Sequence, residues 1–186
     1  MRTRLLGYGL LCGLLVGCGT LPPTYPTPSS TTAPASPTPS STSASVSPEQ
    51  GTVTRVVDGD TVDVDIGGAK PLRVRVLGID TPEVFGGKEC WGPEASAFGK
   101  ERLAGQLVSL DIDPKQGATD RYRRALRYVI LPDGSNYSIL AVESGNAYYY
   151  KKYPVRISPE LAAAEQRAQA AGLGLWGPPC LGKTEG

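Results

Sequence analysis

Histidine is absent from the 186 residues of this chain. That excludes a Ser-His-Asp triad, a Cys-His pair, a His-ligated zinc or copper centre, and any nuclease whose base is an imidazole. Hydrolytic chemistry here has to come from carboxylates, from Arg or Lys, or from a metal held by oxygen. An excess of one charge sign is also missing. The 19 Lys and Arg nearly balance 18 Asp and Glu, so net charge gives no sign of a polyanionic partner. A hydrophobic fraction of 40% and a charged fraction of 20% are ordinary for a globular protein, and the length fits one domain plus a tail. No membrane-length apolar run is present. The longest, Leu5 to Val16, has 12 residues, too few to cross a bilayer comfortably.

That short run is read as an export signal. Arg2 and Arg4 precede it, and it ends in Leu15-Val16-Gly17-Cys18, which resembles a bacterial lipobox. The resemblance implies cleavage after residue 17 and lipid on Cys18, and several acyl chains hold far better than one. The expected location is therefore outside the cytoplasm, with the chain anchored to the envelope on its periplasmic or cell-surface face. Losing Arg2 and Arg4 leaves 17 basic against 18 acidic residues. Residues 18–50 form the expected tether. Of the 32 residues from Gly19 to Gln50, 23 are Pro, Ser or Thr, and Glu49 is the only charge. Such composition has nothing to bury and predicts disorder with polyproline-II character, reaching about 30 Å as a coil and about 100 Å when extended.

Residues 51–180 read as one compact domain, with 181–186 as a tail. Thr52 to Val57 and Thr61 to Ile66 alternate, with Asp58-Gly59 between them as a two-residue hairpin signal. Leu72 to Ile79 is a third strand with Arg73 and Arg75 on one face, stopped by Pro82. Pro93 opens a helix to about Gln106. Leu107 to Ile112 and Ala125 to Leu131 are further strands. Ser138 caps a short helix ended by Gly145, and Ser158-Pro159-Glu160 starts a last, Ala-rich helix to about Ala171. Five short strands with helices predict an α+β fold, a small β-barrel carrying helices.

Three polar clusters fall at strand ends, where sites tend to sit. They are Asp58-Gly59-Asp60-Thr61; Arg75 with Asp80-Thr81-Pro82-Glu83; and Thr119-Asp120-Arg121-Tyr122-Arg123-Arg124. Carboxylates from separate strand ends suit a hard cation such as Ca²⁺. A further Glu can orient or deprotonate water, and paired Arg can grip a phosphate. Each group also has a plain structural reading: turn formers at 58 and 59, a strand cap at Asp80, a solvated face for Arg73 and Arg75.

The joint pattern is specific. VVDGDTVDV, RVLGIDTPE, WGPEASAF, TDRYRRALRYV, LAVESG and a final Ala-rich helix ending in GLW occur in order over about Val53 to Trp176, and together they resemble the staphylococcal nuclease (thermonuclease) family. The resemblance implies a five-stranded OB-fold barrel with about three helices and Ca²⁺-dependent cleavage of the P–O5′ bond in DNA and RNA, leaving 3′-phosphates. It implies Asp60, Asp80 and the Thr81 carbonyl as calcium ligands. Glu83 is implied as general base or water-positioning group, and Arg75 and Arg124 as phosphate contacts. The expected substrate is single-stranded or flexible DNA and RNA, and the expected state a monomer.

Two departures qualify the transfer. The family often has Tyr-Gly-Arg where this chain has Tyr122-Arg123-Arg124, so Arg123 rivals Arg124. Nucleotide-contacting Tyr and Lys positions fall on Arg121, Tyr122, Lys151 and Tyr153, with the register of the Tyr148–Tyr153 run open between base stacking and barrel packing. Cys90 and Cys180, exported together, are expected to form a disulfide, with free thiols or a metal pair as the alternatives. Arg121, Arg123, Arg124, Arg127, Lys151 and Lys152 are expected to form a basic rim that the overall charge conceals. Rival readings are a non-catalytic nucleic-acid-binding or adhesion barrel and an enzyme for small phosphodiesters.

Overall fold

A computed structural model describes residues 49–184. The signal segment, the lipidation site Cys18 and most of the tether lie outside the described residues. In chain order the elements are β1 (Glu49–Val56), β2 (Thr61–Asp65), β3 (Leu72–Val76), β4 (Ile79–Asp80), α1 (Gly92–Leu103), β5 (Leu107–Asp111), β6 (Ala125–Ile130), α2 (Tyr137–Glu143), β7 (Tyr148–Tyr149), α3 (Ser158–Ala171) and a 3₁₀ turn at Gly174–Trp176. Strands β1-β2-β3-β6-β5 close into a barrel, as expected, with β3 and β6 parallel and the other pairs antiparallel. Among the described residues no helix is long and apolar enough to cross a membrane.

The barrel is filled mainly by valines. Val53, Val62, Val64, Val74, Val76 and Val108 are essentially fully buried with Leu110, Tyr128 and Val129. Each such burial contributes about 1.5–3 kcal/mol. In β1 the inward set is Gly51, Val53 and Val56, which breaks a period of two. A register shift between Val53 and Arg55 supplies the extra residue and changes the facing parity, as a β-bulge does. Helix α1 buries Ala95, Gly99 and Leu103 at four-residue spacing, and α3 buries Leu161, Ala164 and Ala168.

Several sequence expectations shift. Glu49 and Gln50, placed in the tether, already belong to β1 and pair with Leu110 and Ser109. The Gln50 side chain bonds Ser109 Oγ at 3.2 Å, and Glu49 meets Arg127 at 3.5 Å, so the chain gains partners before the barrel core begins. At the other end, residues 181–184 fold back onto the domain: Thr184 is buried, and its carbonyl accepts the Cys90 N–H at 3.0 Å. The Asp58-Gly59 connection is wider than a two-residue hairpin, because the last strand pair is Val56 with Val62. Asp58 Oδ1 accepts the Asp60 N–H at 3.1 Å and shapes the loop. The single third strand becomes two. Gly78, at φ +81°, turns the chain, and β4 leaves the barrel to pair with β7. A Cβ there would lie 2.6 Å from Leu161 Cδ1, so glycine also lets α3 approach. Helix α2 is capped by Asn136, whose side chain accepts the Ser138 N–H at 2.9 Å. Ser138 instead donates its hydroxyl to the Leu77 carbonyl at 2.8 Å.

Candidate active site

The turn at Gly78 decides where the chemistry gathers. It returns Asp80 toward the β1–β2 loop, and Thr81 closes onto Asp60. Asp60 Oδ2 accepts the Thr81 N–H at 3.0 Å and the Thr81 hydroxyl at 3.2 Å, while Oδ1 accepts the Thr61 hydroxyl at 3.0 Å. Gly59 makes this contact possible, since a Cβ would stand 2.7 Å from Thr81 Cγ2. Its carbonyl is fixed by the Tyr137 hydroxyl at 2.7 Å.

Arg75 lies between the two aspartates. It reaches Asp60 Oδ2 at 3.1 Å and Asp80 Oδ1 at 2.8 Å, and donates to the carbonyls of Val76 at 3.1 Å and Ile79 at 2.9 Å. Arg73, two residues away on the same strand face, has a different fate. Its side chain is 48% exposed and pairs bidentately with Asp63, whereas that of Arg75 is 12% exposed. Alternation places both on one face; only the returning Asp80–Thr81 segment covers one of them.

Arg124 enters from the start of β6. The parallel pairing of β3 and β6 sets Val74 beside Ala125, and the β2–β3 register sets Thr61 beside Arg75. Arg124 Nη1 consequently lies 3.4 Å from Thr61 Oγ1, one hydroxyl away from Asp60. Asp120 holds this arginine by its Nε at 2.7 Å and its backbone N–H at 2.9 Å. Burial pushes the Asp120 carboxyl up, but these bonds outweigh it and hold the group below its ordinary value. Arg123 sits on the exposed outside of the turn at φ +64°, the conformation a glycine adopts without strain.

Glu83 follows on an exposed loop. Its N–H bonds the Glu89 carboxylate at 3.0 Å, and its carbonyl accepts the Glu89 N–H at 3.1 Å. Burial, then the charges of Asp58, Asp60, Glu89 and Asp80, raise its carboxyl above the ordinary value. Asp80 is also raised, by burial and in spite of Arg75, and Asp58 is raised by burial and by Asp60. The pole thus carries more negative charge than one arginine offsets. Among the described residues no three carboxylates converge into a closed cage. The donors are all hard oxygens, and Asp60 and Asp80 share a single arginine, which fits a divalent cation that keeps water in its shell.

Two concavities flank this pole. The first, of about 410 Å³, is lined by Arg75, Arg121, Tyr122, Arg124, Tyr150, Lys152 and Tyr153 among others. Arg121 stacks on the Tyr122 ring at 4.7 Å and bonds its hydroxyl at 2.6 Å; Lys152 lies 5.7 Å from the Tyr153 centroid. Tyr122 and Tyr153 are 63% and 53% exposed, so both offer free ring surface. Lys151 is the expected site residue that does not reach this groove. Its ammonium pairs with buried Glu165 at 2.6 Å on α3. Arg124 and Arg127 are likewise engaged with Asp120 and Glu49, so the basic rim is narrower than composition predicts. The second concavity, of about 550 Å³, includes Asp80, Glu83, Glu89, Tyr148, Tyr150 and Lys183 in its lining. Cys90 and Cys180 form the expected disulfide beside it, with Cα atoms 5.7 Å apart.

Residues 73–178 match the family described as Staphylococcal nuclease homologue. The chain belongs to that family. It is 37% identical over 131 residues to a thermonuclease of Staphylococcus hyicus, covering 67% of this chain and 73% of the relative. It is 38% identical over 133 residues to a thermonuclease of Staphylococcus intermedius, covering 67% and 74%. An uncharacterized endonuclease of Escherichia coli O157:H7 is 34% identical over 126 residues, covering 68% and 76%. This staphylococcal nuclease homologue is therefore a phosphodiester-hydrolysing nuclease. The sequence placed Thr61 and Asp120 in its polar clusters, Lys152 in the basic rim and Tyr150 in the tyrosine run, but not their contacts. Thr61 links Asp60 to Arg124, Asp120 anchors Arg124, and Lys152 and Tyr150 line the groove. Glu89 on the Glu83 loop was missed altogether. Asp120 carried a usable signal, a carboxylate four residues before an arginine. Glu89 carried none, because its role depends on loop closure.

Proposed function

We propose that this nuclease is a calcium-dependent endonuclease that hydrolyses DNA and RNA, leaves 3′-phosphate ends, and works from a lipid anchor at Cys18 on the periplasmic or cell-surface face of the envelope. One observation carries the catalytic part: Arg75 bridges Asp60 and Asp80 while Arg124 reaches the same aspartate through Thr61. Two arginines and an acidic pole thus face one point from two strands, the arrangement a phosphodiester needs in the absence of imidazole.

Asp60, Asp80 and the Thr81 carbonyl are the groups that would hold the cation. When bound, calcium supplies Lewis-acid polarisation of a phosphate oxygen and a more acidic water. Glu83 would orient the attacking water or take its proton. The water oxygen bonds to phosphorus as the P–O5′ bond breaks, and the departing 5′-oxygen takes up a proton from solvent to leave as a hydroxyl. Arg75 and Arg124 donate to the oxygens on which charge builds, and such donors act most strongly where they are already held in place. Asp120 keeps Arg124 from collapsing onto solvent. The groove of Tyr122, Tyr153, Arg121 and Lys152 takes the neighbouring nucleotide by stacking and charge.

The test is cleavage of DNA and RNA by the mature chain with Ca²⁺, with Mg²⁺ and with chelator, followed by end-group analysis. Calcium-dependent products ending in 3′-phosphate are expected. Full activity in excess chelator sinks the calcium role, and 5′-phosphate products sink the bond assignment. A Cys18→Ser chain is expected to leave the membrane fraction; continued membrane retention removes the anchor.

A further inference from the structure

An endonuclease substrate continues on both sides of the bond that is cut. The groove of Tyr122 and Tyr153 lies on the Arg75–Arg124 side of the acidic pole. The second concavity lies on its Asp80–Glu83 side, and Tyr150 lines both. Its outer wall comes from residues after α3, a segment that elsewhere would be read as a tail. Cys180 is bonded to Cys90, the Thr184 carbonyl accepts the Cys90 N–H at 3.0 Å, and the Tyr148 hydroxyl lies 3.2 Å from both the Gly182 carbonyl and Thr184 Oγ1. These four ties seat the strap against the pole and bring Lys183 to the rim. Lys183 is exposed, and among the described residues its ammonium makes no ion pair although Asp80, Glu83 and Glu89 line the same space.

We propose that this disulfide-held strap builds a second subsite, which takes the nucleotide on the far side of the scissile bond and contacts its phosphate through Lys183. The proposal rests on the nuclease reading and extends it to a polymer-selecting feature. A cavity of about 550 Å³ accommodates a nucleotide. Its negative wall is the pole itself, so a phosphate entering there needs a cation of its own, and among the described residues Lys183 is the one cation lining that space. A lone ammonium acts as a point charge and reads the backbone rather than the base. The subsite therefore favours polymer over mononucleotide without selecting sequence.

The experiment is an equilibrium titration by fluorescence anisotropy, in calcium, of the chain carrying Glu83→Gln to stop cleavage. Labelled octathymidylate is the polymer probe and thymidine 5′-phosphate the competitor for the first groove. Adding Lys183→Gln is expected to weaken octathymidylate about fivefold at low salt. It should also flatten the salt dependence by about 0.7 in log–log slope, one phosphate contact on a single strand, with mononucleotide competition unchanged. Lys183→Arg should retain the wild-type affinity. Replacing Cys90 and Cys180 by Ser together should produce the same selective loss by releasing the strap, and the lysine variants decide the matter where that pair fails to fold. Unchanged octathymidylate affinity and slope, or equal weakening of both probes, overturns the subsite. A wild-type chain that cleaves nothing overturns the proposed function instead, and the titration still decides the subsite.

Discussion

Removing the Arg75 side chain is the most searching perturbation of this site, because the same guanidinium ties Asp60 to Asp80 and, in the proposed mechanism, meets the phosphate. Its side chain is 12% exposed and that of Asp60 is 9% exposed, so Arg75→Ala strands a nearly buried carboxylate. Breaking a buried pair costs about 3–5 kcal/mol. Two features lower that figure. Asp60 keeps three other donors, the Thr61 hydroxyl and the N–H and hydroxyl of Thr81. Asp80, with a side chain 51% exposed, regains water. About 2–4 kcal/mol of lost stability in chelator is the reasoned value. The catalytic cost is separate: deleting one preorganised donor to a developing oxyanion lowers the rate about 10²–10³-fold. Denaturant unfolding in chelator measures the first quantity, and kcat/KM on DNA with saturating calcium measures the second. Added calcium should restore part of the stability, because the cation replaces the missing positive charge, and should leave the rate low. Stability within about 0.5 kcal/mol of wild type refutes the structural argument, and a rate within about tenfold refutes the catalytic one.

Four further outcomes follow from the same geometry. Glu83→Gln should abolish turnover and raise the unfolding midpoint in chelator, since it removes one of the crowded charges around Asp58, Asp60, Asp80 and Glu89; a lowered midpoint contradicts this. Asp120 has a depressed carboxyl in the fold, so its contribution is present above the unfolded value of about 3.9 and is lost as pH falls through the folded value. The stability gap between wild type and Asp120→Asn should hold above about pH 5 and close in stronger acid, and a gap that widens on acidification is the wrong sign. Arg123→Gly should stabilise by about 0.5–1 kcal/mol, the left-handed penalty less the added freedom of the unfolded chain, read as a higher midpoint. Reducing the Cys90–Cys180 bond, which closes a 90-residue separation, should cost up to about 4–5 kcal/mol in a denaturant titration.

The clusters DGDT, IDTPE and TDRYRR were legible because each is local and chemically unusual, and their ordered spacing pointed to one family. The barrel was legible because valines alternate along short strands. What the sequence concealed came from places where local periodicity stops being informative. A bulge in β1 changes the facing parity between Val53 and Val56. Gly78 cuts one apparent strand into two. Ser138 looks like a cap, but its hydroxyl has a carbonyl partner 61 residues away, and Asn136 takes the capping role. Lys151 and Lys152 are chemically equivalent neighbours, and only the position of Glu165 on α3 draws one of them out of the groove.

Absence of histidine excluded, without any structure, every mechanism that needs an imidazole, and left carboxylates, Arg or Lys and an oxygen-held metal as the candidates. Residue types at strand ends named the candidate donors, and the ordered motifs pointed to the family that the comparisons show. Tertiary structure alone decided which of two arginines on one strand face is covered, which of two adjacent arginines meets Thr61, and that the segment after Cys180 is a wall rather than a tail. The reason is physical. Chain-local signals report what a residue can do, whereas burial and partnership depend on segments distant in sequence, joined here by strand register, by the turn at Gly78 and by one disulfide.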